Sequence, residues 1–557
     1  MKKYHTLLVV GIATLVVLLL TWILPITYFS SELVAGDRVR VGIFSVANYS
    51  LYTFYNFIYV FVHLLLIGGL YGLLNKTGAY RLLLDKVVKH VKERKVLSLS
   101  ITVLLIAIIV SFTGFTYEAL VVLPFIAAVV LLLGYDRITA AMVTVGSISV
   151  GIIGSTFAKA IAGKINTVLE TPTYTDLIIP KVVVLILCSV VLVLNIIHHA
   201  KKNEVKENVE ESFLVPKKVT SKTIKVWPLI TIALVYIVVM VLAAIDWTGA
   251  FSVKFFSDAL TTIKGWPVLS KYVILTVSVL VILINVLRSV IARKKNTKDA
   301  KKEKSEVKLL TGARKIVTIV FIVIGFLALL KILLEDVFKA TDFMTKALDA
   351  IKVNSFFEGF TFDKILGSVV AFGSYSYNDY MILLILFGLA IKFAYRIKFA
   401  DAIDSVGEGF KKVLYACIVV LLSYTLLIMV SSHPIGLTIL KPLLEATDGL
   451  NILLYPICTL FSALFNSDFA YYEYGVLNVS YVTTAYTGAG IVPLAEFITQ
   501  TMYGFAMMLA PTSVILLFTL SLLDVKYTTW LKKTLLLLLE LFVLLILAYV
   551  VLKLWII

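Results

Sequence analysis

The chain of 557 residues is 60% hydrophobic and 15% charged, with a net charge of +17. A mean hydropathy of +0.99 excludes a soluble globular protein, which must present nearly half its composition to water. Several apolar runs exceed the roughly 18 residues needed to cross a membrane. The positive charge lies in the loops between them, so membrane topology accounts for it and no nucleic-acid partner is expected.

Apolar spans are predicted, in chain order, near 6–27, 54–75, 96–112, 116–133, 139–168, 178–199, 226–246, 270–292, 315–335, 378–395, 411–432, 451–465, 470–483, 493–523 and 533–554. No small-residue cleavage site follows "LTWILP", so the first span reads as a retained helix. The loops 76–96, 200–225, 293–315, 392–412 and 526–533 hold 7, 7, 10, 5 and 3 lysines and arginines, together 32 of the 51 in the chain. The loop 169–177 holds none and 433–450 only Lys441. The positive-inside rule then places the five basic loops and the N-terminus in the cytosol and the C-terminus outside, in a multi-pass protein of the cytoplasmic membrane.

Parity holds only if 96–112 with 116–133, and 451–465 with 470–483, each return the chain to its starting side. The second pair has arms of 15 and 14 residues, about 21–22 Å at 1.5 Å per residue, short of the roughly 30 Å core. Parity allows each pair to be two full crossings or one re-entrant hairpin; length favours the hairpin for the second pair, and both pairs are read as re-entrant hairpins. The fold predicted is an all-α polytopic membrane protein of about 11 transmembrane helices and two oppositely oriented hairpins. Its parts are scaffold helices over 1–95, a first repeat core over 96–200, linker helices over 201–314, second scaffold helices over 315–450 and a second repeat core over 451–557. The outer segment 336–366 reads as a short amphipathic helix.

Each hairpin is followed by a polar, helix-breaking cluster: Gly154, Ser155 and Thr156 in "GIIGSTFAKA", and Pro511, Thr512 and Ser513 in "MLAPTSVILL". Breaks survive in a bilayer where they line a polar cavity, and their backbone groups serve ions and solutes. Glu118 lies 36 residues before Gly154, and Glu473 lies 38 before Pro511. Polar tips precede both glutamates, Thr113 and Gly114 in the first and Asn466, Ser467 and Asp468 in the second. The recurring order of tip, glutamate and break predicts an inverted repeat with two broken helices.

An ionisable residue inside a span costs at least about 2.5–3.5 kcal/mol and usually faces a cavity or partner. Glu118 and Glu473 are therefore expected at the solute site, near the midplane. The hydroxyls of Ser155, Thr156, Thr512 and Ser513 are the expected ligands of a coupled Na⁺, a hard cation that prefers oxygen; a coupled H⁺ is the alternative. Lys159 is a weaker candidate for a carboxylate contact, and Lys164 is expected to snorkel outward. His63 and His433 stand alone, and adjacent His198 and His199 point to different helix faces, so no metal site is expected. Cys188, Cys417 and Cys458 give neither a disulfide framework nor a metal spacing.

"LTWILP" (Leu20 to Pro25), "IGGLYGLLNKTGA" (Ile67 to Ala79), "LGYD" (Leu133 to Asp136) and "APTS" before "KYTTWLKK" resemble the C4-dicarboxylate anaerobic carrier family. More narrowly they resemble its arginine/ornithine antiporter-like branch, in the ion transporter superfamily, over roughly 10–200 and 400–545. The chain departs from that pattern at Tyr117-Glu118, where the family has paired glutamates, and at Ser155-Thr156-Phe157, where it has Asn-Pro-Phe. Its second tip, "NSD", replaces a Ser/Gly-rich one. The resemblance implies an organic solute, coupling to H⁺ or Na⁺ or exchange, and a homodimer in lipid. The combined expectation is a secondary transporter, neither ATP-driven, since no G-x-x-x-x-G-K-[ST] occurs, nor an enzyme or channel. Two acidic groups favour an amino acid as solute, with a C4-dicarboxylate as the alternative. A cysteine appended after Ile557 is expected to react with an impermeant thiol reagent on intact cells, while one in 293–315 stays protected; the reverse pattern would invert the topology.

Overall fold

A computed structural model describes residues 4–24, 28–29, 33–34, 40–158, 160–161, 177–203, 211–218, 224–245, 375–433, 435, 438, 450–465 and 491–556. The chain divides into two units, Met1–Ile245 with Ser376–Ile557, and Asp246–Tyr375; every described residue but Tyr375 belongs to the first. The predicted spans 270–292, 315–335 and 470–483 and the segment 336–366 lie outside the described residues.

Among the described residues the fold is helical apart from a two-residue antiparallel pair, Tyr28–Phe29 with Leu33–Val34. The helices are α1 (His5–Ile23), α2 (Ile43–Thr77), α3 (Ala79–Val91), α4 (Lys95–Thr113) and α5 (Leu123–Leu132). Next come α6 (Arg137–Ile153), which contains a π turn at Met142–Gly146, α7 (Ile178–Lys202) and α8 (Trp227–Ala244). The remainder are α9 (Tyr377–Ala394), α10 (Phe399–Ser432), α11 (Leu454–Phe465), α12 (Ile491–Ala506), α13 (Val514–Leu522) and α14 (Tyr527–Ile556). Eight described helical segments are long and apolar enough to cross a membrane, and α5, α6 and α11 are shorter apolar helices.

The helices sort their residues by packing and not by polarity. α7 buries Lys181, Val184, Leu185, Cys188, Ser189, Leu192 and Ile196 along one stripe at helical spacing. Its other faces expose Ile179, Val182, Val183, Ile186 and Val190. In water such a surface would aggregate; in lipid it is the expected exterior.

α2 and α10 form the central crossing. A Cβ on Gly72 would overlap the Ser405 carbonyl oxygen, one on Gly409 would overlap that of Gly68, and one on Gly69 would lie 2.6 Å from the Phe410 ring. Small residues let the two backbones approach where no hydrophobic effect drives helix pairing. The "IGGLYG" stretch thus has a packing role. α2 and α10 also begin well before the predicted 54 and 411. Their extra turns are polar or interrupted, and hydropathy does not register helix that extends past the apolar core. At 34 residues α10 is about 51 Å long.

The arm predicted over 116–133 is α-helical only from Leu123. Gly114 ends α4 in the left-handed region at φ 70°, a one-turn 3₁₀ helix follows at Glu118–Val121, and α5 opens with Pro124 in its first turn. Proline lacks the N–H that a continuing helix needs. The 10 residues of α5 cover about 15 Å, half the apolar core.

Gly72→Leu is expected to destabilise the protein by about 1–3 kcal/mol through overpacking, read as a lower unfolding midpoint in detergent. Gly407→Ala is the control: nothing lies within 4 Å of that Cβ, and the exchange gains helix propensity. Equal midpoints for the two variants would show that the glycine crossing is not a close contact.

Candidate functional site

The first break begins where α6 stops, at Ile153. Its freed carbonyls are taken up by side chains. Ser111 Oγ donates to the Gly154 carbonyl at 2.6 Å, and Gln500 Nε2 donates to those of Ile153 at 3.2 Å and Ser155 at 2.9 Å. The Thr156 N–H donates to the Ser111 carbonyl at 2.9 Å, and the Thr156 hydroxyl to the same oxygen at 3.3 Å. Glycine is required at 154, where a Cβ would overlap Leu185 of α7. Gly114 closes the end of α4 with its missing Cβ position 2.8 Å from the Ala158 methyl. The break is therefore packed among α4, α7 and α12.

The second break runs from Met507 to Ser513 and is satisfied the same way. Ser513 Oγ donates to the Met507 carbonyl at 2.8 Å while capping α13 by accepting from the Leu516 N–H at 3.3 Å. Trp530 Nε1 donates to the Met508 carbonyl at 2.9 Å, and the Tyr527 hydroxyl donates to that of Leu509. Thr512 Oγ1 donates to the Leu464 carbonyl at 2.8 Å. Both breaks thus use a threonine hydroxyl to hold the C-terminal end of a preceding helix, Ser111 in α4 and Leu464 in α11. They also lie close together: a Cβ on Gly504, two residues before α12 ends, would sit 2.5 Å from the Ile153 nitrogen.

Beside this junction is a buried ion pair. Lys181 Nζ of α7 lies 3.2 Å from Glu496 Oε1 of α12, with side chains 1% and 2% exposed. Lys181 is one turn from Leu185, which packs on Gly154, and Glu496 is one turn before Gln500. Both acceptors of Gln500 Nε2 are carbonyls, which fixes the amide orientation. Its Oε1 and Ser155 Oγ are buried without a hydrogen bond to any described residue. Each such atom costs about 1–3 kcal/mol unless something engages it.

The predicted residues divide accordingly. Gly154, Ser155 and Thr156 belong to the junction, with Thr113 and Gly114 at the facing end of α4, and Pro511, Thr512 and Ser513 form the second break. Thr156, Thr512 and Ser513 spend their hydroxyls on protein carbonyls, so of the four hydroxyls expected to hold Na⁺ only Ser155 is left unbonded among the described residues. Glu118 is buried, on the 3₁₀ turn and not within a regular span. One carboxylate oxygen accepts from the Thr116 N–H at 3.2 Å. Its turn is held from α2 by His63, 3.1 Å from the Tyr117 carbonyl, and by Tyr71, donating to the Val121 carbonyl at 2.8 Å. The Tyr117 hydroxyl meets that of Tyr424 in α10. Asn466, Ser467, Asp468, Glu473, Lys159 and Lys164 lie outside the described residues.

Sequence reasoning missed Lys181, Glu496 and Gln500. A signal was present: a lysine inside "IIPKVVVLILC", and a Glu-x-x-x-Gln pair on one helix face in "LAEFITQTMYG". His199 pairs with Asp136 at 3.1 Å. Burial opposes ionisation of Asp136, but hydrogen bonds from His199 and Thr139 outweigh it and hold its carboxyl below the usual range. His433 meets the Tyr49 hydroxyl at 2.8 Å, and no three metal-ligating groups cluster among the described residues. A cleft lined by Lys92, Arg94, Lys95 and Lys201 lies at the basic ends of α4 and α7, where topology accounts for its charge.

A helix end at Ile153 and a helix break at Met507–Ser513 meet inside an apolar bundle, with their freed backbone satisfied and a buried ion pair alongside, as helix interruptions do where they line a site in a membrane protein. The chain belongs to the C4-dicarboxylate anaerobic carrier family, whose sequence profile matches residues 5–362. That match takes in α1 to α8 and the first break; the second break lies beyond it. No curated protein and no solved structure matches the chain.

Gln500→Leu removes two hydrogen bonds and leaves two buried carbonyls unsatisfied. It is expected to cost about 1–3 kcal/mol for each, lowering the unfolding midpoint; an unchanged midpoint would show that the first break does not depend on α12.

Proposed function

We propose that the protein is a secondary active transporter that moves a small organic solute across the cytoplasmic membrane by alternating access. A C4-dicarboxylate is the better-supported solute class. The observation that carries this is the junction itself: a buried ammonium, Lys181, one helical turn from Leu185, which packs on Gly154 of the first break, where the Ser155 hydroxyl is buried and unbonded among the described residues. An ammonium and hydrogen-bonding groups are what a carboxylate solute needs inside a low-dielectric bundle, and membership of a C4-dicarboxylate carrier family points to the same class.

Alternating access would come from an inverted repeat. The two threonine-to-helix-end hydrogen bonds, at Thr156 and Thr512, and the 36- and 38-residue spacings support it, as does the shortness of α5 and α11 as hairpin arms. The basic loops support a cytosolic N-terminus and an external C-terminus. A homodimer follows from the family resemblance. Na⁺ coupling would rest on the oxygens of Ser155 and Gln500, and H⁺ coupling on a buried carboxylate.

One observation favours an amino acid, as in the arginine/ornithine antiporter-like branch. The described interior holds carboxylates, Glu118 and Glu496, as well as an ammonium, and so complements a zwitterion. Thermal shift separates the two readings, because a ligand at about 100 times its Kd stabilises the native state by about 2.7 kcal/mol. Succinate is expected to raise the midpoint and to support counterflow of labelled succinate in proteoliposomes. A shift with arginine or ornithine alone would select the amino-acid reading, and a lack of counterflow with any solute would sink the carrier function.

A further inference from the structure

We propose that the cleft between the start of α4 and the end of α7 binds an anionic phospholipid. The lipid seats its phosphate among Lys92, Arg94, Lys95 and Lys201 and lays its acyl chains along the two helices. The cleft shares no lining residue with the helix breaks, and the proposal does not depend on which solute the protein carries.

The cleft has a volume of about 660 Å³, within the range of roughly 300–1,000 Å³ typical of small-molecule sites. It is walled by the 3₁₀ turn Lys92–Arg94 and the first turns of α4, by Tyr135 between α5 and α6, and by Ile197, Ala200 and Lys201 of α7. Lys95 Nζ stands 5.6 Å from the centroid of the Tyr135 ring. Glu93 is the only acidic residue of the lining, so four cations face one carboxylate. Lys92, Arg94 and Lys201 are exposed, and among the described residues none of the three has an ion-pair partner. The positive-inside rule explains why cations collect at these helix ends. It does not explain why four of them line one cavity. A phosphate suits such a cluster, because its several oxygens accept charge-assisted hydrogen bonds from more than one ammonium or guanidinium.

The surroundings of the cations select a lipid over a soluble anion. Leu97 lines the cleft and is exposed, and Ile101, Leu104 and Ile108 continue from it along α4, exposed and at helical spacing. On α7, Leu194, Val190 and Ile186 continue from Ile197 in the same way. Residues spaced so share one face of a helix. Each stripe runs 11 residues from the cleft, about 16 Å, which is half of the roughly 30 Å hydrocarbon core and so the depth of one leaflet. A free phosphate would use the cations and leave the stripes uncovered; a phospholipid uses both. Basic pockets between membrane helices are known seats of anionic headgroups.

The test uses the full chain in an uncharged detergent, titrated with phosphatidylglycerol or phosphatidylcholine and read by unfolding midpoint and by lipid adducts in native mass spectrometry. Phosphatidylglycerol is expected to raise the midpoint, as a ligand of the native state does, and to give a saturable adduct. Phosphatidylcholine, with no net charge, is expected to do neither. Each cation removed is expected to weaken phosphatidylglycerol binding about fivefold, and Lys92→Gln/Arg94→Gln/Lys201→Gln about hundredfold. Lys86→Gln/Lys398→Gln/Lys533→Gln removes the same charge from exposed positions outside the cleft and is expected to bind as the wild type does. Wild-type affinity in the cleft variant would overturn the proposal, as would an equal loss in the control variant or an equal response to phosphatidylcholine. Inorganic phosphate and glycerol phosphate test the soluble alternative: a midpoint shift from either that matches phosphatidylglycerol would establish an anion site and overturn the lipid site. If the cleft variant does not fold, the two lipids and the two soluble anions on the wild type still decide.

Discussion

In an apolar medium every backbone N–H and C=O must find a partner within the protein. The rest of this structure depends on that constraint. A helix can be interrupted only where side chains from other elements replace the lost bonds, so each break commits residues far away in sequence. Ile153, Gly154 and Ser155 are served by Ser111 and Gln500. Met507, Met508 and Leu509 are served by Ser513, Trp530 and Tyr527. These bonds tie α4, α12, α13 and α14 to the two interruptions, which gives the bundle a defined interior around them.

Close packing does the rest, through glycine. α2 and α10 approach at Gly68, Gly72 and Gly409, and α6 and α12 approach at Gly504. The first crossing sets a rigid frame. That frame also holds the turn around Glu118, since His63 and Tyr71 of α2 and Tyr424 of α10 bond to it. The second crossing brings the ends of the two broken helices together. Backbone contact without intervening side chains leaves little room to rearrange locally, so motion of the broken helices relative to the frame would be a movement of packed units.

The electrostatics are concentrated in few groups. Lys181 and Glu496 are nearly free of solvent, an arrangement that contributes little net stability compared with apolar residues of the same size. Glu118 is bonded within its own turn and framed by tyrosines. Glu118 and Glu496 are the two buried glutamates among the described residues.

Composition and the spacing of apolar runs were enough to establish a polytopic helical membrane protein. The positions of Gly154–Thr156 and Pro511–Ser513 as helix breaks were also readable, because glycine, proline and hydroxyl residues act on their own backbone. The start of α5 at Leu123 was not read correctly, since a 3₁₀ turn and a hydrophobic helix have the same hydropathy. Nor did the sequence pair Lys181 with Glu496, or assign Gln500 to the carbonyls of the first break. Those partners are 315 and more than 340 residues apart, and a helical period tells which face a side chain occupies but not which helix it meets. Packing made that choice: the glycine contacts fix how closely the backbones approach, and the approach decides which buried polar groups lie within bonding distance.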